Sequence, residues 1–347
     1  MKINIPPNVE DGLLNSPKTW LITGVAGFIG SHLLCELIRL NQTVIGIDDF
    51  STGSQKNLDA VRIQFPMEKW DTKFNFLKGD IRNIEDCMRA TEGVDIVLHQ
   101  AALGSVPRSL LDPITTNQVN IDGFLNMLWA SKEAGIKRFV YAASSSTYGD
   151  SETLPKVEGV IGNPLSPYAV TKYVNELYAE LFARLKYFDV IGLRYFNVFG
   201  PRQDVTSGYA AVIPKWINAQ IISAPLEING DGETSRDFCY VANVVQANIL
   251  AATTENINAI NTVFNIAVGD RTTLNELRNL ISDALLDLNS KAKPSKVIYK
   301  EFRSGDVRHS LANIQKAVTY LGYKPTHTIK DGLAETVKWY LEDRERN

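Results

Sequence analysis

Within SPYAVTKY, residues 166–173, Tyr168 and Lys172 stand four positions apart, just after a proline. Side chains at i and i+4 share one helix face, so a phenol and an ammonium can meet there. A free phenol titrates near ~10, and a neighbouring cation favours its phenolate. Such a group can act as a general acid or base near neutral pH. Tyrosine and lysine are also common on solvated helix faces, and the pair alone leaves that plainer reading open. Upstream, AASSSTYG ends an apolar run and offers a hydroxyl, Ser144, that could bind an oxygen as it loses its proton.

A second cluster precedes these residues. LITGVAGFIGSHL sets Gly24, Gly27 and Gly30 three apart, between a β-rich run and a helical one. Gly24 permits a tight turn, Gly27 the close approach of a phosphate to backbone, and Gly30 close packing of helix on strand. The free N–H groups of the helix start can take a pyrophosphate. The next apolar run ends in GIDDF, which puts Asp48 24 residues after Gly24. A carboxylate there can accept hydrogen bonds from both ribose hydroxyls and would repel a 2′-phosphate, so the expected cofactor is NAD rather than NADP. A structural turn followed by an exposed acid is the plainer alternative. Asp80 and Ile81, in KGDIR, would flank the adenine.

The elements that must position these residues alternate. TWLITG, TVIGID, FNFLKGD, VDIVLHQAA, RFVYAASS and FDVIGLRYFN read as strands, separated by helical patterns that include 84–91, 118–134 and the Tyr168 helix. Continuous apolar strands alternating with helices indicate an α/β fold with a doubly wound parallel sheet. Beyond residue 200 turn residues increase, and a smaller, less regular C-terminal lobe is expected. Residues 1–17 read as a polar extension with little predictable structure, 18–200 as the dinucleotide-binding domain, and 201–347 mainly as a substrate lobe, with some segments returning to the first domain.

The 347 residues are 44% hydrophobic and 22% charged, which is globular composition. A net charge of −3 gives no reason to expect nucleic acid or an anionic membrane as partner. The three cysteines, Cys35, Cys87 and Cys239, form no CxxC cluster, which argues against a disulfide framework or a metal site and for a reducing compartment. No signal peptide or membrane-length apolar run is evident, and the expected location is the cytoplasm.

From about residue 18 to about residue 341 the chain carries, in order, TGVAGFIGSHL, IDDFSTG, GDIR, HQAALGSVPRS, AASSSTYGD, SPYAVTKY, LRYFNVFGPRQ, GDGETSRDFCYV and RSGDVRHS. In these motifs it resembles the extended short-chain dehydrogenase/reductases, and within them the UDP-hexose 4-epimerases. It is most similar to the branch acting on UDP-N-acetylhexosamines and their uronic acids. The resemblance implies a Rossmann domain with a C-terminal α/β UDP-sugar lobe, NAD held through turnover, and Ser144, Tyr168 and Lys172 as catalytic triad. It places cofactor contacts on Gly24, Gly27, Phe28, Ile29, Gly30, Asp48, Asp49, Phe50, Ser51, Thr52 and Gly53. Further cofactor contacts fall on Asp80, Ile81, Gln100, Ala101, Ala102, Asn120 and Tyr195, with Tyr168 and Lys172. The UDP-sugar would meet Gly104, Ser105, Ser144, Ser145, Ser146, Asn197, Gln203, Val212 and Lys215, then Leu226, Ile228, Asn229, Arg236, Arg303, Asp306 and Ser310. No metal enters this scheme, and a homodimer is implied, paired through helix 118–134 and the Tyr168 helix.

The same resemblance bears on the reaction. Related 4,6-dehydratases carry an Asp-Glu pair where this chain has Ser145 and Ser146, which disfavours elimination. Nothing suggests a cysteine nucleophile for oxidation at C6. UDP-galactose 4-epimerases that reject N-acetyl sugars carry a tyrosine seven residues after their diphosphate arginine, where this chain has Ser310, and Gly104 replaces a lysine of many relatives. Both changes leave room for an acetamido group. The expected reaction is therefore C4 epimerisation of UDP-GlcNAc to UDP-GalNAc, in a polysaccharide or O-antigen route. The same reaction on UDP-N-acetylglucosaminuronate, with Arg108 or Arg308 serving its carboxylate, stays open. So do an NAD-dependent dehydrogenase and a non-catalytic dinucleotide sensor.

Overall fold

The structure, a computed structural model, describes residues 3–205, 208, 210–288, 295–302 and 307–346. Its centre is a sheet of β1 (Thr19–Thr23), β2 (Thr43–Asp48), β3 (Phe74–Lys78), β4 (Ile96–His99), β5 (Arg138–Ser144), β6 (Asp189–Tyr195) and β11 (Thr262–Ile266). The order is β11-β6-β5-β4-β1-β2-β3, and every neighbouring pair is parallel. The strands are short apolar runs because both faces are covered. Along β1 the side chains alternate: Trp20 and Ile22 join one core, while Leu21 joins the other. Helices Phe28–Arg39 and Val241–Thr253 pack in the first core; Ile84–Thr91, Gly123–Glu133 and Pro167–Arg184 pack in the second.

The chain runs outward from β1 to β3 and then returns to β4 on the other side of β1. In an open parallel sheet the ligand crevice lies outside the carboxyl ends of the strands at such a reversal. Thr23, Asp48, His99, Ser144 and Tyr195 all end strands at this edge. The fold therefore gathers residues that lie far apart in sequence.

Three small pairs complete the strands. β7 (Val198–Phe199) is parallel to β10 (Cys239–Tyr240), β8 (Leu226–Asn229) is parallel to β13 (Val297–Lys300), and β9 (Ser235–Arg236) is antiparallel to β12 (Thr272–Thr273). β11, from well beyond residue 200, completes the main sheet beside β6.

The N-terminal extension departs from expectation. Pro7–Asn15 is a helix, and Ile3, Ile5 and Leu13 are buried. Proline suits the first helical turn, where no N–H is needed, and Pro7 opens this helix. Gln42 Nε2 donates to the Leu13 carbonyl at 2.9 Å, and Arg39 pairs with Glu10 at 2.8 Å. The expected 118–134 helix also differs, since it opens with a π turn over Gln118–Asp122. Among the described residues no helix is long and apolar enough to cross a membrane.

Candidate active site

Ser166 caps the helix that carries the Tyr–Lys pair, its hydroxyl accepting from Ala169 N–H at 3.2 Å, and Pro167 occupies the first turn. Tyr168 thus sits at the helix start, beside the end of β5. Ser144 ends that strand, close enough to Tyr168 to favour its phenolate. Ser146 donates to Ser144 Oγ twice, through N–H at 3.1 Å and through its hydroxyl at 2.8 Å. With its oxygen so occupied, Ser144 has its own proton free to donate toward Tyr168.

Lys172 is buried, and its ammonium donates to the Ala142 carbonyl at 2.8 Å. Burial lowers its pKa to about 8, against an opposing push from Glu176. Burial raises the Tyr168 phenol above its ordinary value, and Ser144 opposes the rise. The helical spacing brings the two side chains together, but the ammonium is directed at the backbone of β5.

The glycine turn has the shape a dinucleotide needs. A Cβ on Gly30 would lie 2.1 Å from the Gly24 carbonyl oxygen, and one on Gly24, whose φ is +69°, would lie 2.9 Å from Ala101 backbone. Only bare backbone fits there. The helix that follows is capped by Gly27 with no side-chain cap, so the first-turn amides at Phe28 and Ile29 face outward without one. Asp48 accepts from Ala26 N–H at 2.9 Å and Phe50 N–H at 2.8 Å. Burial raises its pKa, those amides oppose the rise, and the acting neighbouring charge is another acid, Asp49. That environment suits ribose hydroxyls and disfavours a 2′-phosphate. Gly53 completes it, since a Cβ there would lie 2.8 Å from Asp48 Oδ1. Asp49 accepts from Ser51 N–H, Phe50 takes a φ of +62°, and Ser51 and Thr52 are exposed beyond it.

Other expected cofactor residues are engaged by the protein itself. Asp80 is bound by Arg82, whose two nitrogens lie 2.9 and 2.5 Å from its Oδ2, and the Ile81 carbonyl accepts from Asn126 Nδ2 at 3.0 Å. Thr23 Oγ1 accepts from Gln100 N–H and Ala101 N–H, both at 3.1 Å, so its own hydrogen goes to His99 Nδ1 at 3.0 Å. His99 is neutral, its pKa lowered to about 3 by burial and then by Lys172. Tyr195 Oη lies 3.0 Å from Gln100 Oε1 and accepts from Asn248 Nδ2 at 2.8 Å. Asn120 is redirected: buried, it accepts from Leu103 N–H at 2.8 Å and donates to Leu103 O and Thr171 Oγ1, both at 3.1 Å. It clamps the loop after β4 to the Tyr168 helix. Ala102 is half-buried beside these residues.

A large open cleft of ≈ 2670 Å³ brings the glycine turn and the substrate lobe onto one wall, through Gly27, Phe28, Gly104, Ser105, Asn197, Gln203, Val212, Lys215, Ile228, Asn229 and Arg236. Tyr168, Lys172 and the serines 144–146 do not line this wall. Leu226 and Ile228 are buried, so any contact they make is through backbone. Asn197 Nδ2 donates to the Asp237 carbonyl at 3.1 Å. Gln203 Oε1 is buried without a hydrogen-bond partner. Ser310 N–H donates to the Ser235 carbonyl at 3.1 Å, which seats Ser310 beside Arg236. Arg308 is held by Asp231 at 2.8 and 2.7 Å, which leaves it poorly placed to bind a sugar carboxylate. Arg303 and Asp306 lie outside the described residues.

Several residues were missed from sequence. Asp237 is fully buried and accepts from the N–H groups of Val268, Gly269 and Ala312 at 3.0, 3.0 and 3.2 Å, tying together the loops around Arg236 and Ser310. Asn248 stands with Asn243 and Gln246 in a largely apolar buried helix, a signal that could have found it. Glu176 and Arg194 form a buried ion pair at 2.7 Å. Among the described residues no group of three or more His, Cys, Asp or Glu could hold a metal ion.

Residues 20–267 match the NAD dependent epimerase/dehydratase family. A putative UDP-glucose 4-epimerase of Methanocaldococcus jannaschii is 36% identical over 92% of this chain and 97% of its own length. Among solved structures, a UDP-N-acetylglucosamine 4-epimerase from Methanobrevibacter ruminantium in complex with UDP-N-acetylmuramic acid is 38% identical. It has a TM-score of 0.85 and coverage of 94% of this chain and 99% of its own. A UDP-glucose 4-epimerase of Thermotoga maritima with UDP-glucose is 35% identical, with a TM-score of 0.83 and the same coverage.

Proposed function

The chain belongs to the NAD dependent epimerase/dehydratase family, and from that premise we propose that it interconverts UDP-GlcNAc and UDP-GalNAc by epimerisation at C4. Its cofactor is NAD. The observation that carries the choice of sugar is Ser310, a small side chain seated against Ser235 and beside Arg236. Gly104 adds to it, because a Cβ there would meet nothing within 4 Å. The similarity to the Methanobrevibacter enzyme points the same way.

In this reading Tyr168 takes the proton from the sugar 4-hydroxyl, and Ser144 donates to that oxygen. Ser146 keeps the Ser144 proton pointed outward. NAD, when bound, would supply the hydride acceptor and donor for C4, and its positive charge would favour the Tyr168 phenolate, which burial disfavours. Lys172 holds the cofactor ribose and adds charge beside the phenol. As the 4-ketone the sugar would turn about its diphosphate, and Tyr168 would return the proton to the C4 oxygen. Atoms and electrons balance over the cycle. Arg236 and Arg303 grip the diphosphate, Asn197 and Gln203 add polar contacts, and the backbone of 226–229 holds the uracil.

Exposed apolar side chains at Val170, Leu177 and Leu181 on the Tyr168 helix, with Trp129 on helix 118–134, support the expected homodimer through these two helices. The sugar choice is tested by comparing kcat/KM on UDP-GlcNAc, UDP-glucose and UDP-N-acetylglucosaminuronate. UDP-GlcNAc is expected to be the best of the three. A preference for the uronate would replace the proposal with its 6-carboxylate variant.

A further inference from the structure

The mechanism above makes no use of the buried pair Glu176 and Arg194. Glu176 stands one helical turn beyond Lys172 and two beyond Tyr168, so the three share a helix face. Arg194 grips the carboxylate with two bonds, Nε to Oε1 at 2.8 Å and Nη2 to Oε2 at 2.7 Å. Its Nη1 donates to the Glu158 carbonyl at 3.0 Å, and its guanidinium lies 4.8 Å from the Tyr148 ring centroid. Thr147, in the turn after the serines, lies 3.5 Å from Glu176 Oε1. The side chains are only 9% and 3% exposed.

Desolvation offsets most of the attraction in such a pair, so stability is a weak reason for having it. Lys172 supplies a better one. Among the described residues the groups near it include His99 from β4, kept neutral by burial, and Tyr168 and Glu176 on its own helix; Tyr141 from β5, kept protonated by burial, neighbours Glu176. Burial works against the Lys172 charge, and the charge that supports it is Glu176, while Arg194 stands behind the carboxylate and does not weigh on the lysine. Arg194 also occupies both carboxylate oxygens. With Glu176 held by Arg194, the Lys172 ammonium is aimed at Ala142.

We propose that Glu176, fixed by Arg194, is a positioning residue that keeps Lys172 an ammonium beside Tyr168 during turnover. The inference rests on the proposed proton-transfer role of Tyr168 and Lys172. Its test is a titration of NAD-loaded protein labelled with ¹³C at lysine Cε, the Lys172 signal being assigned by its loss in Lys172→Met. Glu176→Gln is expected to lower the Lys172 pKa by about one unit or more. Because that variant leaves Arg194 buried and unpaired, Glu176→Gln/Arg194→Met, which removes both charges, is measured beside it and should show the same fall. The upper limb of the kcat–pH profile should move down equally, with KM unchanged. An unshifted Lys172 titration in the folded double variant overturns the inference and leaves the pair as a structural clamp. If the parent enzyme turns over no UDP-sugar, the proposed function fails, and the titration still decides this point.

Discussion

Lys172 Nζ donates to the carbonyl of Ala142 at 2.8 Å, two residues before Ser144 on the same strand. One strand thus fixes both the cation and the serine that serve Tyr168. Burial lowers the lysine pKa from 10.5 to about 8. An unfolded lysine keeps its proton to higher pH, so between these values the unfolded state binds more protons and stability rises with pH. At pH 7 the buried charge costs stability. Lys172→Met is therefore expected to lose turnover by about a thousandfold or more while melting no lower than the parent when both are free of NAD. A large loss of melting temperature would show the ammonium to be a net structural support.

Asp237 is an acid whose pKa is raised to about 6, by burial first, with three backbone amides opposing. Between its ordinary 3.8 and 6 the folded state holds the extra proton, so its contribution falls as pH rises through that window and is level above it. Asp237→Asn would turn an NH₂ group toward at least one of those N–H donors. It is expected to lower stability by roughly 2–3 kcal/mol and to raise KM for the UDP-sugar, because the loops carrying Arg236 and Ser310 lose their common tie. Thermal melts and steady-state kinetics check this, and an unchanged KM would count against the tie.

Gly53→Ala would place a methyl 2.8 Å from Asp48 Oδ1. The carboxylate must then move from the position proposed for the ribose. The expected result is NAD binding at least about tenfold weaker, with unchanged secondary structure. Isothermal titration on the NAD-stripped protein measures it.

Ser310→Tyr adds bulk beside Arg236. It is expected to reduce kcat/KM on UDP-GlcNAc by about tenfold or more and to affect UDP-glucose much less. Equal losses on both sugars would remove Ser310 as the residue that admits the acetamido group.

Much of the arrangement is legible in sequence because it depends on local rules. The Gly24, Gly27 and Gly30 spacing follows from backbone sterics, and the short apolar runs show strands covered on both faces. The Tyr168–Lys172 spacing gives adjacency on a helix face. Spacing does not give direction: the ammonium goes to Ala142 because the helix crosses β5 there, a tertiary fact. Glu176 and Arg194 are separated by 18 residues, and Gln100 and Asn248 by 148, so no local pattern joins them. The resemblance puts Asn120 at the cofactor, and its amide is bonded to Leu103 and Thr171, which no local pattern shows. The N-terminal helix escaped notice because Leu13 is its one buried residue, which shows no period.

The most direct test of the central claim is proton NMR of UDP-GlcNAc incubated with the purified protein and no added nucleotide. The account predicts that the UDP-GalNAc anomeric signal appears and grows to equilibrium, driven by NAD already bound to the protein. Conversion of UDP-glucose under the same conditions, with UDP-GlcNAc left untouched, would contradict it.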